Sequence, residues 1–133
     1  MRYPALLLEH FDRPRNAGDL PPGAGRELQG RAGSAAGRDR VQFSLRVTGG
    51  RIAAIRFRAL GPPWLIAACS LATERLQGQP VAALGRPLAA ELAAALAAPP
   101  EQLGILLRID DALRNCWQAW ENRSLDGPQD RAE

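Results

Sequence analysis

The sequence has little of the chemistry that metal centres and disulfide frameworks need. Its 133 residues include two cysteines, Cys69 and Cys116, and one histidine, His10. Two cysteines are too few for a disulfide-stapled domain, and this usage is typical of a reducing compartment. No Ser or Cys nucleophile motif and no phosphate-binding glycine loop is recognisable. We therefore expect a cytoplasmic protein that is not an enzyme and has no catalytic residues.

Lysine is absent, because all seventeen basic residues are arginine, and the formal net charge is only +3. This balance does not indicate nucleic-acid binding, and basic residues do not alternate with aromatic ones as in a stacking platform. The longest apolar stretch, residues 59–72, is interrupted by Gly61, Pro62 and Pro63, which excludes a membrane span there. We expect neither a nucleic acid nor a membrane as a partner.

Apolar residues are plentiful, at 46% of the chain, and their periodicity indicates a folded core. We predict one domain over residues 1–125, followed by a polar C-terminal tail over residues 126–133.

Period-two alternation predicts a β-hairpin in the first half of the chain. A three-residue loop over residues 48–50 would pair Phe43 with Ile55 and Val41 with Phe57. An earlier strand over residues 26–32 completes a three-stranded antiparallel sheet.

Helical spacing is predicted to about residue 12, over 63–77, over 87–98, and from Leu106 to before Asp126. The strands come early and the helices late, which predicts an α+β fold with helices packed on one face of the sheet. We expect the N-terminal and C-terminal helices to cover that face.

Three segments carry a family resemblance: EHFDRPRNAG (Glu9–Gly18), GRDRVQF (Gly37–Phe43) and GPPWLIAACSLATE (Gly61–Glu74). In order, spacing and wording they resemble the U-type iron–sulfur cluster assembly scaffolds, the IscU, SufU and NifU N-terminal family. In that family they are written roughly DHxxNPRNxG, CGDRV or CGDxM, and GCxxxxASxSxxTE, with a final Cys on the last helix. The resemblance runs from about Tyr3 to Asn122 and implies a role in cluster assembly.

The resemblance also implies where the family's ligands would fall. The first Cys falls on Gly37 and the second on Pro62, whereas the Asp is kept as Asp39 and the third Cys as Cys116. Asn115 stands where the family has His or Lys. A [2Fe–2S] cluster needs four ligands and structural zinc three or four, so we expect neither to be stably bound. Asp39 and Cys116 would form a vestigial pocket in a degenerate member of the family.

Single residues allow a plain and a functional interpretation. Cys116 fits the apolar face of the last helix as a small buried residue, or it is a reactive thiol at the pocket rim. Cys69 is expected in the core, and His10 in a packing or hydrogen-bonding role. The pair Asp110 and Asp111 is expected on a solvated helix face.

Arginines dominate the predicted outward face of the sheet, with Arg40 opposite Arg58, and Arg46 and Arg56 on the same face. Such a face is usually just solvated, or it docks an acidic partner surface.

Three hypotheses follow. The first is a degenerate scaffold that keeps a partner surface, for example for a cysteine desulfurase or another assembly protein. The second is an active carrier of an iron–sulfur cluster or metal that uses Cys116 across a subunit interface, and the third is a repurposed protein-binding module. The family's Leu-Pro-Pro-Val-Lys segment, which a chaperone pair recognises, is assigned to residues 109–114, where the prolines are missing.

Overall fold

The structure, a computed structural model, describes residues 3–34 and 36–125, with side chains to residue 122. In chain order its elements are α1 (Ala5–Asp12), β1 (Arg26–Gly33), β2 (Arg40–Thr48), β3 (Arg51–Leu60), α2 (Pro63–Leu76), α3 (Ala89–Leu96) and α4 (Leu103–Leu125). Short 3-10 turns over Val81–Gly85 and Pro100–Gln102 precede α3 and α4. The predicted tail, residues 126–133, lies outside the described residues.

The three strands form one antiparallel sheet in the order β1-β2-β3, and α2 and α4 pack on one of its faces. The predicted α+β class is confirmed. The expectation that the N-terminal helix covers the sheet is wrong, since α1 packs chiefly on α2. Within the described residues, no helix is both long and apolar enough to cross a membrane.

The hairpin register differs from the prediction. Phe43 pairs with Phe57, Leu45 with Ile55 and Val41 with Ala59. The turn contains two residues, Gly49 and Gly50, because Thr48 pairs with Arg51. Both glycines have positive φ angles of 60° and 77°, the conformation that a two-residue hairpin turn requires.

A β-bulge reconciles this short turn with the apolar pattern. The pairing shifts between Arg46 and Val47, so that Val47 lies opposite Ile52 and Arg46 opposite Ala54. Ala53 is the extra residue of the bulge, and it is exposed. A bulge resets the alternation of a strand by one position, which allows Ile52 and Ile55 both to be buried. Phe43, Ile55 and Phe57 are all buried, although the predicted register is wrong.

The helix-free face of the sheet is partly covered by the α1–β1 loop. Arg46 is only 5% exposed, and its Nη2 donates to the carbonyl O of Pro21 at 2.5 Å and to Glu27 at 3.0 Å. Arg40 lies opposite Leu60, not Arg58. The prediction of an exposed arginine face is therefore wrong for Arg46. The predicted pairing of Arg40 with Arg58 is also wrong.

Candidate functional site

Two of the sequence segments meet where α1 and its following loop pack on α2. The side chain of His10 is buried, and its Nδ1 lies 2.7 Å from Oγ of Ser70. The same Ser70 oxygen accepts the backbone N–H of Arg15 at 2.8 Å. Nε2 of His10 faces a carboxylate oxygen of Glu74 at 3.4 Å. We therefore assign the proton of neutral His10 to Nε2, which leaves Nδ1 to accept the Ser70 hydroxyl.

One helical turn on, Thr73 continues the same network. Its hydroxyl donates to the backbone O of Ser70 at 2.7 Å and accepts Nδ2 of Asn16 at 3.0 Å. Oδ1 of Asn16 in turn accepts Nη1 of Arg56 on β3 at 3.2 Å. Asn16 has a φ of 61°, a left-handed conformation that asparagine tolerates better than most residues. We call these contacts between residues 9–16 and 70–74 the N-terminal clamp.

Burial is the main cause of the lowered pKa of His10, and the nearby Arg15 guanidinium adds to it. Arg15 also pairs with the exposed carboxylate of Glu9. The clamp therefore holds a neutral imidazole in a packing and hydrogen-bonding role, as the sequence predicted for His10.

A second group of segments meets at Asp39. The carboxylate of Asp39 accepts Nε of Arg108 from α4 at 2.9 Å, and its side chain is 18% exposed. A Cβ added at Gly61 would lie 3.6 Å from the Asp39 Cβ, so the loop with Pro62 is adjacent. Gly37 is exposed, with a φ of 74° and open space around it. We call residues 37–39 and 61–62 the ligand loops.

The donors at the ligand loops do not fit a cluster or a zinc ion. Gly37 and Pro62 have no ligating side chain, and the Asp39 carboxylate is engaged by a guanidinium. Across residues 3–34 and 36–122, no group of three or more His, Cys, Asp or Glu side chains is placed to hold a metal ion.

Cys116 lies elsewhere, in the contact between α4 and the sheet. It is fully buried, and its Sγ is 4.0 Å from the backbone O of Phe43. A Cβ at Gly30 of β1 would overlap the carbonyl O of Ala112 and come 2.7 Å from the Cys116 Sγ. Burial raises the pKa of the Cys116 thiol to about 12. These observations favour the buried-residue interpretation of Cys116, and Cys69 is likewise fully buried.

Asp39 and Cys116 therefore do not share one pocket. Arg108, the partner of Asp39, precedes Cys116 by eight positions on α4, which is about 12 Å along a helix. Phe43, the sheet neighbour of Cys116, follows Asp39 by four positions, which is about 13 Å along a strand. Along both elements, the Asp39 end and the Cys116 end are separated by about 12–13 Å. The α4 residues one turn before Arg108 are Gly104 and Ile105, at the start of the helix.

Sequence reasoning missed two residues of α4. Nothing in the local pattern marked Arg108 as the partner of Asp39, because the contact joins residues 69 positions apart. Asp110 is 8% exposed rather than solvated, and its Oδ1 accepts the backbone N–H groups of Leu88 and Ala89 at 2.7 and 2.9 Å. It caps the first turn of α3, where no local side chain does so.

Comparisons with known proteins give the following likenesses. Residues 2–126 match the NifU-like N terminal domain family. A bifunctional protein NifU/MnmA of Rubrobacter xylanophilus is 33% identical over 129 residues, which make up 94% of this chain and 26% of that protein. An iron–sulfur cluster assembly scaffold protein IscU of Haemophilus influenzae is 28% identical over 115 residues, 86% of this chain and 91% of that protein.

Among solved structures, the N-terminal NifU-like protein of Brucella abortus superimposes with a TM-score of 0.67 and 15% identity. The alignment covers 90% of this chain and 94% of that one. At this identity the likeness concerns the fold alone.

Proposed function

This chain belongs to the NifU-like N-terminal domain family, and from that premise we propose that it serves iron–sulfur cluster assembly as a degenerate, non-enzymatic scaffold-type protein that holds no cluster by itself. The single observation that carries the proposal is the ion pair between Asp39 and Arg108 at 2.9 Å. A guanidinium and a metal ion compete for the same carboxylate oxygens, and Gly37 and Pro62 beside it supply no thiolate.

We further propose that the family's third ligand position is Ile105 and not Cys116. Pro99 and Pro100 begin the 3-10 turn that leads into α4, so the family's Leu-Pro-Pro-Val-Lys segment corresponds to residues 98–102 rather than to 109–114. The first turn of α4 then follows that segment, as the final Cys does in the family. Ile105 lies one turn before Arg108, close to the side of α4 that meets Asp39. On this assignment all three cysteine positions have lost their thiol.

The rival hypothesis of a carrier that shares Cys116 between subunits has less support. A fully buried thiol cannot meet a second chain unless α4 lifts from β1, and its raised pKa disfavours the thiolate that binds metal. If the rival were correct, native Cys116 would react with a thiol reagent within minutes at neutral pH. We expect reaction only after unfolding.

A cysteine desulfurase or another assembly protein remains the proposed partner, and the cytosol the proposed location. The ligand-loop rim offers the exposed Arg38, whereas the Arg15 side chain is occupied in the N-terminal clamp. Calorimetry against the host's desulfurase should show binding that Arg38→Ala weakens more than Arg86→Ala, an exposed arginine outside the rim. Equal weakening would indicate nonspecific charge attraction, and no binding would favour the repurposed module.

Anaerobic incubation with ferric iron and sulfide tests the proposed loss of ligands. The unmodified protein and Cys116→Ala should show the same background of visible absorbance after desalting. A variant with Gly37→Cys, Pro62→Cys, Ile105→Cys and Arg108→Ala, the last to free the Asp39 carboxylate, should retain iron, sulfide and a chromophore. A stoichiometric, Cys116-dependent chromophore in the unmodified protein would contradict the proposal. Failure of this folded variant alone would overturn the assignment of the three lost cysteine positions and not the proposal that the unmodified chain holds no cluster.

A further inference from the structure

The helix-free face of the sheet carries an open groove where β1 ends and β2 begins. Its volume is about 450 Å³. The residues that line it are Arg31, Ala32, Gly33, Ser34, Arg40, Val41, Gln42, Arg58 and Leu60. We call it the arginine groove.

The strand register fixes the spacing of its cations. Gln42 lies opposite Arg31 on one side and opposite Arg58 on the other, so these arginines stand two strand spacings apart, about 10 Å. Arg40 is two positions before Gln42 on β2, about 7 Å along the strand and on the same face. Its side chain crosses Gly33, where an added Cβ would lie 3.0 Å from the Arg40 Cγ. The three cations therefore border one concave surface.

Arg58 already binds a carboxylate from this chain. Its Nε and Nη2 both donate to Oδ1 of Asp19, at 3.0 and 2.6 Å, and the Asp19 side chain is 82% exposed. In the part of the chain that the structure describes, the guanidiniums of Arg31 and Arg40 have no such partner, and no acidic residue lines the groove. Among the described residues, the groove thus combines two cations that have no acidic partner with a third whose acidic partner, Asp19, is exposed.

We propose that the arginine groove is a docking site for a carboxylate-rich segment of a partner protein. Arginine forks suit carboxylates, and Leu60, which is 49% exposed, offers an apolar contact beside them. No aromatic ring lines the groove to stack on a base, which favours a peptide over a nucleic acid. This inference is independent of whether a cluster is bound.

The test uses fluorescein-labelled hexaglutamate, with labelled hexaglutamine as the uncharged control, followed by anisotropy. We expect binding of hexaglutamate only, and weaker binding at high salt. Arg31→Ala and Arg40→Ala should each weaken it about fivefold or more, while Arg86→Ala should change it by less than about twofold. Asp19→Asn should tighten binding severalfold, because it frees Arg58.

Three outcomes would overturn the proposal. These are the absence of hexaglutamate binding at millimolar concentration, equal losses in Arg40→Ala and Arg86→Ala, and tighter binding of a single-stranded oligonucleotide that depends on the same arginines. Circular dichroism checks that each variant folds, which the exposure of these arginines leads us to expect. The Asp19→Asn variant adds a gain of affinity that misfolding cannot imitate.

Discussion

The N-terminal clamp and the ligand loops both lie in segments that resemble the family pattern. They differ in which residues of that pattern this chain has. In the clamp, His10, Ser70 and Thr73 are buried and joined by hydrogen bonds. In the ligand loops, Asp39 pairs with Arg108, and Gly37 and Pro62 stand at the positions where we propose that the family's cysteines have been lost. On this proposal, the chain retains residues that stabilise the fold and has lost residues that would bind a metal. A family motif therefore contains residues that stabilise the fold and residues that bind a metal. Only the metal-binding residues indicate whether a cluster is bound.

The largest expected effect is in the clamp. Ser70→Ala removes the hydroxyl that serves both His10 Nδ1 and the Arg15 N–H, and each polar group left buried without a partner costs about 1–3 kcal/mol. We expect the free energy of unfolding to fall by about 3 kcal/mol in a urea titration. Ser44→Ala, on the helix-free face of β2, is the matched control and should cost less than about 0.5 kcal/mol. Equal losses of stability at the two serines would contradict the structural role of the Ser70 hydroxyl.

Asp110 extends the comparison to α4, which contacts both the core and the ligand loops. Asp110→Ala leaves two backbone N–H groups of α3 without their acceptor, and we expect a loss of about 2 kcal/mol. The neighbouring Asp111→Ala removes only an exposed pair with Arg114 and should lie within about 0.5 kcal/mol of the unmodified protein. The free energies of unfolding of the two variants, measured by urea titration, decide whether Asp110 caps α3.

Acid should weaken the clamp before it affects exposed carboxylates. Because the folded pKa of His10 is lowered, the unfolded chain takes up a proton first, from about pH 6.5. The contribution of neutral His10 to the free energy of unfolding is therefore fully present above that pH. It is lost as the pH falls, by at most about 1.4 kcal/mol per pH unit. We therefore expect the free energy of unfolding to decrease as the pH falls below about 6.5. His10→Gln should remove that slope, and an unchanged slope would show that another group titrates. Glu9, with its pKa lowered chiefly by Arg15, contributes only at more acidic pH.

The smallest effect is expected at the ligand loops. Asp39 and Arg108 are both partly exposed, and such ion pairs contribute about 0–1 kcal/mol to stability. Asp39→Ala, Arg108→Ala and the double variant, measured as a thermodynamic cycle, should give a coupling below about 1 kcal/mol. A coupling as large as the Ser70 effect would mean that the ligand loops are themselves part of the structural framework.

Local patterns predicted the α+β class, the three strands and most helix bounds, because periodicity and proline or glycine positions report on short-range geometry. The hairpin register failed because the bulge at Ala53 changes the phase of β3, and a pattern of alternating residues does not reveal an inserted one. The burial of Arg46 was not predicted because the loop that covers it is distant in sequence.

The candidate site was less predictable. The motifs placed three of the family's ligand positions on Gly37, Asp39 and Pro62. Cys116 was chosen as the remaining position only because it is a cysteine on the last helix. The pairing of Asp39 with Arg108 and the capping of α3 by Asp110 are tertiary contacts between distant residues. Such contacts leave no local signal in a single sequence.

The central claim is that the ligand loops are closed by an ion pair and have no ligands left to offer. The most direct measurement is the iron, zinc and acid-labile sulfide content per chain of protein purified without oxygen and without chelators, alongside Asp39→Ala and Cys116→Ala. Our account predicts only trace metal and sulfide in all three samples. About one metal ion or one cluster per chain or per dimer in the unmodified protein, lost in either variant, would contradict it.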